Sequence, residues 1–383
     1  MKIEIFTCAP HPPKSVILPN FNFSKLILLI RFKALTGFRC LAACMVFVYH
    51  NRKYWRGHLH PELLRLINEF HIGVALFFVL SGFLIAYTYG ESPLQSGRAY
   101  TRYILLRLAR IMPLYWLVLT AYYLDHSYGN RHFTWLTYSL VHGFSDAHNL
   151  DGIAQAWSLN VEMTFYFLAP LLCLLQRKNL FYLVGALLIL FITSWYTGLV
   201  WHRINGNPGR YLYGFEFVTD SIFPGRCIEF MAGMILAQGI KDNSIKKWMP
   251  FRFKTAIGFL GIFITAWCIG LFQPDVYGNG IFHPVGMALN KILLPYCIVL
   301  ALAGLIEEKT WLQRFFSSRL LILLGNASFA FYLIHISYVN LKIKDYFLMP
   351  DNNFIVLWIL AILLYLLFEK PVYDRCRKWL KRG

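Results

Sequence analysis

Two side chains in the first apolar segment, Arg39 and His50, have the types and spacing for chemistry inside a membrane. They are eleven residues apart, and eleven helical steps of about 100° return to within about 20° of the starting face. The two side chains would then share one helix face, separated by roughly 16 Å along the axis. Imidazole is a general base near neutral pH. The alternative from spacing alone is a snorkelling arginine and an interfacial histidine.

A carboxylate and a second imidazole occur in later apolar segments. Glu162 precedes a continuous apolar run, and a buried carboxylate needs a cation or a proton as its partner. His335 stands about as far from Arg319 as His50 stands from the start of its own segment. We therefore expect His50, Glu162 and His335 at comparable heights, where they could converge on one cavity. A neutral glutamate that locks two helices together is the alternative for Glu162.

Two further pairs of charged residues suggest anion binding and helix pairing. Arg107 and Arg110 are one helical turn apart before Pro113, a spacing that suits phosphate or pyrophosphate through bidentate contacts. Ordinary basic anchors at a membrane surface are the alternative. Arg226 and Glu229 are three residues apart inside an apolar run, which predicts a structural ion pair within the membrane.

The remaining candidates indicate packing rather than metal or cofactor chemistry. Ser81 stands next to Gly82 in FFVLSGFLIAY, a pattern more typical of close helix packing than of a nucleophile. The eight cysteines lack the paired spacing of metal sites, and most lie in apolar runs. No nucleophile-elbow, P-loop, Rossmann or zinc-ligand pattern occurs. The sequence therefore predicts no bound metal and no resident cofactor.

The composition indicates which elements must position these residues. Of 383 residues, 57% are apolar and only 15% are charged, whereas a soluble domain carries about 25% charged residues. So little charge cannot cover a water-soluble globule, and this argues against a soluble enzyme. The net charge of +18 does not indicate nucleic-acid binding, because the basic residues flank apolar runs instead of forming one patch.

We predict an all-α, polytopic membrane helix bundle of about ten transmembrane helices. Each crossing needs about 20 residues, and the candidate spans are 34–54, 70–90, 105–124, 155–175, 180–200, 219–239, 254–272, 288–306, 320–341 and 353–369. This arrangement puts 26 Lys and Arg on the side of the termini, 10 on the opposite side and Arg226 within a span. Both termini are therefore expected in the cytoplasm. The predicted parts are a cytoplasmic lead-in (1–33), a transmembrane domain (34–369) and a basic cytoplasmic tail (370–383).

Seven blocks of the chain, in order, resemble the acyltransferase type 3 family of membrane O-acyltransferases. They are LTGFRCLAACMVFVYH, GVALFFVLSGFLIAY, RYILLRLARIMPLYW, AWSLNVEMTFYFLAPLL, RCIEFMAGMILA, LGNASFAFYLIHISYV and FEKPV. The family includes O-antigen, exopolysaccharide and peptidoglycan O-acetyltransferases. One departure is Leu35-Thr36-Gly37-Phe38, where relatives often carry an acidic residue before Gly-Leu-Arg. The hydrolase-like domain that some relatives carry is not expected, so the membrane portion would hold the whole activity.

The resemblance implies an inner-membrane enzyme that transfers an acyl group, by default acetyl, from acyl-CoA to a hydroxyl of a cell-surface or lipid-linked carbohydrate. Acetyl-CoA is then a co-substrate. The implied catalytic residues are His50, Arg39, Glu162 and His335, and the implied donor-binding residues are Arg107, Arg110, Trp157 and Ser81.

Two other functions remain open from the sequence. A proton-coupled transporter or flippase would also use buried arginine, histidine and glutamate, although no inverted repeat is visible. An acyltransferase could also act on an acceptor other than a sugar. Neither alternative requires nucleic acid as a partner.

Overall fold

The computed structural model describes residues 32–55, 57–90, 96–124, 135–206, 212, 214–274, 278–337, 339–340 and 350–382. Within these ranges the regular structure is helical throughout, as the all-α prediction requires. The predicted lead-in, 1–33, lies almost entirely outside them. The long helices are α1 Lys33–Asn51, α2 Gly73–Tyr89, α3 Gly97–Leu124, α4 Trp157–Lys178, α5 Leu180–Asn205, α6 Phe223–Lys241, α7 Lys254–Gly270, α8 Pro284–Glu307, α9 Arg319–Ile334 and α10 350–382.

Short helical turns join the long helices and shape both ends of the bundle. The short α-helices are Pro61–Asn68, Trp135–Tyr138, Phe215–Asp220, Ile245–Trp248 and Trp311–Phe316. The 3-10 turns are Arg52–Trp55, Phe70–Ile72, Val141–Phe144, Ala154–Ala156 and Gly280–Phe282. Two π-helical turns interrupt long helices, Leu289–Leu293 in α8 and Tyr365–Glu369 in α10.

The chain is a multi-pass membrane protein by the length and composition of its helices. Six helical stretches in the described residues are long and apolar enough to cross a bilayer. They are α3, α4, α5, α8, α10 and the stretch Pro61–Tyr89, which joins α2 to the short helix and the turn before it. The apolar helices α7 and α9 are shorter. The remaining two predicted spans form helices α1 and α6, of 19 residues each, whose buried charges lower their hydropathy.

Several helix ends differ from the predicted spans, and the largest differences are in α3, α9 and α10. Helix α3 begins at Gly97 instead of residue 105, and α10 continues through the basic tail to residue 382. Helix α9 ends at Ile334, so that His335 caps its C-terminus and does not lie within it. Basic residues with good helix propensity extend α3 and α10 beyond the apolar run.

Helices α2 and α6 are in backbone contact at the centre of the bundle. Helix α2 is apolar on all sides, as expected for a helix surrounded by others. A Cβ atom added to Gly82 would lie 2.1 Å from the Phe230 carbonyl oxygen, and one added to Gly233 would lie 2.0 Å from that of Val79. Only glycine permits the two helix backbones to come this close. The contact also fixes the position of Ser81, the residue before Gly82.

Replacing Gly233 by alanine is expected to destabilise the protein by about 1–3 kcal/mol, the usual cost of overpacking a close contact. The measurement is the midpoint of thermal unfolding of the purified protein in detergent. Gly185→Ala in α5 is the matched control, since an added Cβ there meets nothing within 4 Å. Equal midpoints for the two variants would contradict the proposed contact.

Candidate active site

One cavity is lined by polar and charged side chains from five helices. The space between its lining side chains, including the open mouth, is about 770 Å³. Its polar and charged lining is Arg39 from α1, Ser81 from α2, Arg107 and Arg110 from α3, Ser158, Glu162 and Tyr166 from α4, and Ser328 and Tyr332 from α9. Five predicted site residues therefore meet here: Arg39, Ser81, Arg107, Arg110 and Glu162.

Glu162 is held by hydroxyl groups. Tyr166, one turn further along α4, donates a 2.5 Å hydrogen bond to Oε1, and Ser81 donates to the same oxygen at 3.0 Å. The Ser81 hydroxyl also lies 3.3 Å from the Tyr166 oxygen. Two hydroxyl groups from two helices therefore anchor one oxygen of the Glu162 carboxyl group.

Three tyrosine rings surround Arg107. Its guanidinium donates to the Tyr89 hydroxyl at 3.2 Å and lies 5.7 Å from the centres of the Tyr89 and Tyr103 rings and 5.8 Å from that of Tyr166. Cation–π contacts of this kind fix a guanidinium without neutralising it. Arg107 therefore keeps its full charge toward the cavity.

The cavity carries more positive than negative charge. Three arginines, Arg39, Arg107 and Arg110, and one carboxylate, Glu162, line it. The Nε atoms of Arg39 and Arg107 are buried and have no hydrogen-bond partner among the described residues. Buried charge without a partner is costly, and an anionic ligand would remove that cost.

His50 and His335 lie together outside the cavity lining. Their ring centres are 5.2 Å apart. The carbonyl oxygen of Tyr332 lies 2.7 Å from His335 Nδ1, and a carbonyl only accepts, so Nδ1 carries the proton. His335 Nε2 then has a free lone pair, and it is buried with no hydrogen-bond partner among the described residues. This is the tautomer that can accept a proton.

Tyr332 connects the cavity to the histidine pair. Its ring lines the cavity and lies 5.4 Å from the His335 ring, and its hydroxyl is 2.7 Å from the Ser158 hydroxyl. His50, His335 and Glu162 were expected to converge on one cavity, but the Tyr332 ring separates the two histidines from Glu162. The imidazoles meet each other, whereas the contacts of Glu162 are with Ser81 and Tyr166.

Two other predicted groups lie away from the cavity. Trp157 is the first residue of α4 and is not part of the cavity lining, although the following residue, Ser158, is. Arg226 Nε lies 3.0 Å from Glu229 Oε1 in α6, and both side chains are buried. A second buried pair accompanies them, with Lys291 Nζ 3.0 Å from Asp220 Oδ1. No group of three or more metal-ligating side chains occurs among the described residues.

Several tyrosines of the site were missed by reasoning from the sequence. Tyr166 is four residues after Glu162, and Tyr332 is three residues before His335, so each shares a helix face with a predicted residue. That spacing was the available signal. Tyrosine is also common at membrane interfaces, and this masks a tyrosine that lines a cavity.

A comparison with known proteins finds a family whose model matches most of the chain. The model of a family described as an acyltransferase domain matches residues 32–369. The chain is 25% identical to the O-acetyltransferase OatA of Staphylococcus aureus strain NCTC 8325 over 79% of its own length. It is 24% identical, over 88% of its length, to YrhL of Bacillus subtilis, whose name provisionally describes a peptidoglycan O-acetyltransferase. No solved structure shows significant similarity to the chain.

The chain spans about half the length of the curated relatives it matches. It covers 49% of OatA, 54% of YrhL and 56% of a provisionally named O-acetyltransferase of Staphylococcus aureus strain COL, to which it is 23% identical.

Proposed function

The chain belongs to the acyltransferase-domain family, and we propose that it transfers an acyl group, by default acetyl, from acyl-CoA to a hydroxyl of a carbohydrate. The acceptor would be a cell-surface or lipid-linked glycan, as the name of YrhL suggests for that relative. Acetyl-CoA acts as a co-substrate in this proposal.

The observation that carries the proposal is the convergence of Arg39, Arg107 and Arg110 on one cavity. The nucleotide end of CoA bears a diphosphate and a 3′-phosphate, which matches a net-positive pocket with unsatisfied guanidinium groups. Glu162 partly balances this charge and orients the hydroxyls of Ser81 and Tyr166.

In this proposal the donor binds from one side of the membrane and the acceptor from the other. We place both termini in the cytoplasm, with ten crossings of the inner membrane, because most basic residues flank that side. Helix α1 then runs outward, with Arg39 in its cytoplasmic half and His50 in its outer half. The donor enters from the cytoplasm, and its uncharged pantetheine arm extends past Tyr332 toward the histidine pair.

His50 removes the proton of the acceptor hydroxyl as its oxygen attacks the thioester carbon. The carbon–sulfur bond breaks, the CoA thiolate leaves, and that thiolate takes up the proton. Arg39 faces the negative charge of the bound donor, and the His335 ring packs beside His50 with its centre 5.2 Å away and helps to position it. In a second route the acyl group is carried briefly on His50 before it reaches the acceptor.

Membranes from cells that express the protein, supplied with labelled acetyl-CoA, provide the test. We expect label in the glycan fraction that is absent from membranes lacking the protein. Label that enters the vesicle lumen without becoming covalently attached would contradict acyl transfer and support a transporter. Label attached to protein or lipid instead would refute the carbohydrate acceptor.

A further inference from the structure

A second group of polar residues surrounds Tyr49 at the outer end of α1. The Tyr49 ring centre lies 4.9 Å from that of His50 and 5.3 Å from that of His71, and the Arg52 guanidinium lies 4.1 Å from it. The Tyr49 hydroxyl accepts a 3.2 Å hydrogen bond from the side chain of Asn279. Residues of three separate turns thus meet directly beside His50.

A fully buried carboxylate, Glu69, lies behind this group. Its Oε1 accepts hydrogen bonds from the Gly280 backbone N–H at 2.7 Å and from Gln273 at 2.8 Å. Its Oε2 has no hydrogen-bond partner in the described part of the chain and lies 3.6 Å from His71 Nδ1, which is too far for a hydrogen bond. Oε1 of Glu69 is therefore anchored by two hydrogen bonds, and Oε2 is available to accept a hydrogen bond from a ligand.

Around the Tyr49 ring, among the described residues, both a hydrogen-bond donor and a hydrogen-bond acceptor lack a partner. Arg52 Nε is a donor and Asn279 Oδ1 an acceptor, and among the residues described both are buried without a partner. Such groups are rare in folded proteins and call for an explanation. A ligand that both donates and accepts hydrogen bonds would satisfy Arg52, Asn279 and Glu69 together.

We propose that Tyr49, Arg52, His71 and Asn279, backed by Glu69, form the subsite that holds the acceptor sugar. The inference rests on the proposed acyl transfer and adds the location and chemistry of acceptor binding. Each sugar hydroxyl both donates and accepts hydrogen bonds, as this set of atoms requires. The charge of Glu69 offsets that of Arg52, so the subsite suits a neutral, polyhydroxylated ring rather than a phosphate. A ring bound there presents a hydroxyl to His50.

The test measures KM for acceptor and for donor separately in Arg52→Met and Asn279→Ala, with peptidoglycan-derived glycan fragments as acceptor. Losing one hydrogen bond from a charged group or a buried amide should raise the acceptor KM about 10- to 100-fold and leave the donor KM unchanged. Lys53→Met is the matched control, because Lys53 is the exposed neighbour of Arg52 in the same turn, and both of its KM values should stay as in the wild type.

An unchanged acceptor KM in both variants overturns the subsite, and so does a parallel rise of both KM values, which indicates a general structural defect. If a variant does not fold, Tyr49→Phe removes only the hydroxyl that Asn279 contacts and repeats the test. If the wild type transfers no label, the proposed function fails, and direct binding of the same fragments decides the subsite separately. Binding that is weakened in Arg52→Met but not in Lys53→Met supports it, and equal binding refutes it.

Discussion

Replacing His50 by alanine is expected to lower the rate of acyl transfer by about 10²- to 10⁴-fold, the usual contribution of a positioned general base. His335 is not expected to take over, since its ring is almost completely buried and is held through Nδ1 by the Tyr332 carbonyl, so that it does not reach the position of the His50 ring, 5.2 Å away. Donor binding should persist, because the cavity lining does not include His50. Labelled acetyl transfer and acetyl-CoA binding are measured on the same purified protein.

His148→Ala is the control for this experiment, since His148 is an exposed histidine paired with Asp151. It should transfer label at the wild-type rate. Loss of donor binding together with transfer in His50→Ala would make His50 a structural or donor-binding residue. Equal transfer by wild type and His50→Ala would refute the assignment of the base.

The double replacement Arg107→Ala and Arg110→Ala is expected to raise the KM for acetyl-CoA by about 100-fold or more. A hydrogen bond between charged groups contributes about 1.5–3 kcal/mol, and two of them multiply in the binding constant. The value of kcat at saturating donor should change far less, because neither arginine contacts the histidine pair. Initial rates across a range of donor concentrations separate the two quantities.

The same helix supplies a matched control, Arg98→Ala with Arg102→Ala, which removes two exposed arginines from its first turns. That variant has the same change in net charge, so it reports any general electrostatic attraction of the donor. An equal rise of KM in both double variants would show attraction by overall charge. An unchanged KM in Arg107→Ala with Arg110→Ala would eliminate the phosphate clamp.

The sequence was sufficient for the helices and for the cationic side of the cavity. Arg39 stands out because an arginine in an apolar run needs a reason, and α1 does place it on the cavity. Arg107 and Arg110 on α3 stand out by their spacing of one helical turn before Pro113, which suits a phosphate. For Arg39 the signal was an ionisable residue at membrane depth, where it costs free energy and is therefore rare.

The partners of these residues were harder to predict, because neutral side chains carry no comparable signal. For Glu162 a cation or a proton was expected as the partner, and its hydrogen bonds from the hydroxyls of Ser81 and Tyr166 were not predicted. Tyr332 separates it from the histidines, and the height of a residue along its helix does not show which helix faces it. The subsite around Tyr49 depends on turns at 52–55, 70–72 and 278–280, whose meeting is a matter of tertiary structure.

The ion pair of Arg226 and Glu229 also affects how α6 enters the membrane during synthesis. Arg226 lies in the first turn of α6 and Glu229 in the second, and ionisable residues within an apolar helix cost free energy on insertion, so α6 is a poor substrate for the translocon by itself. Its close contact at Gly233 is with α2, which is made earlier. We expect α6, with its two charges already paired to each other, to leave the translocon against α2 in the bilayer, where the Arg226 guanidinium lies 5.3 Å from the centre of the Phe78 ring.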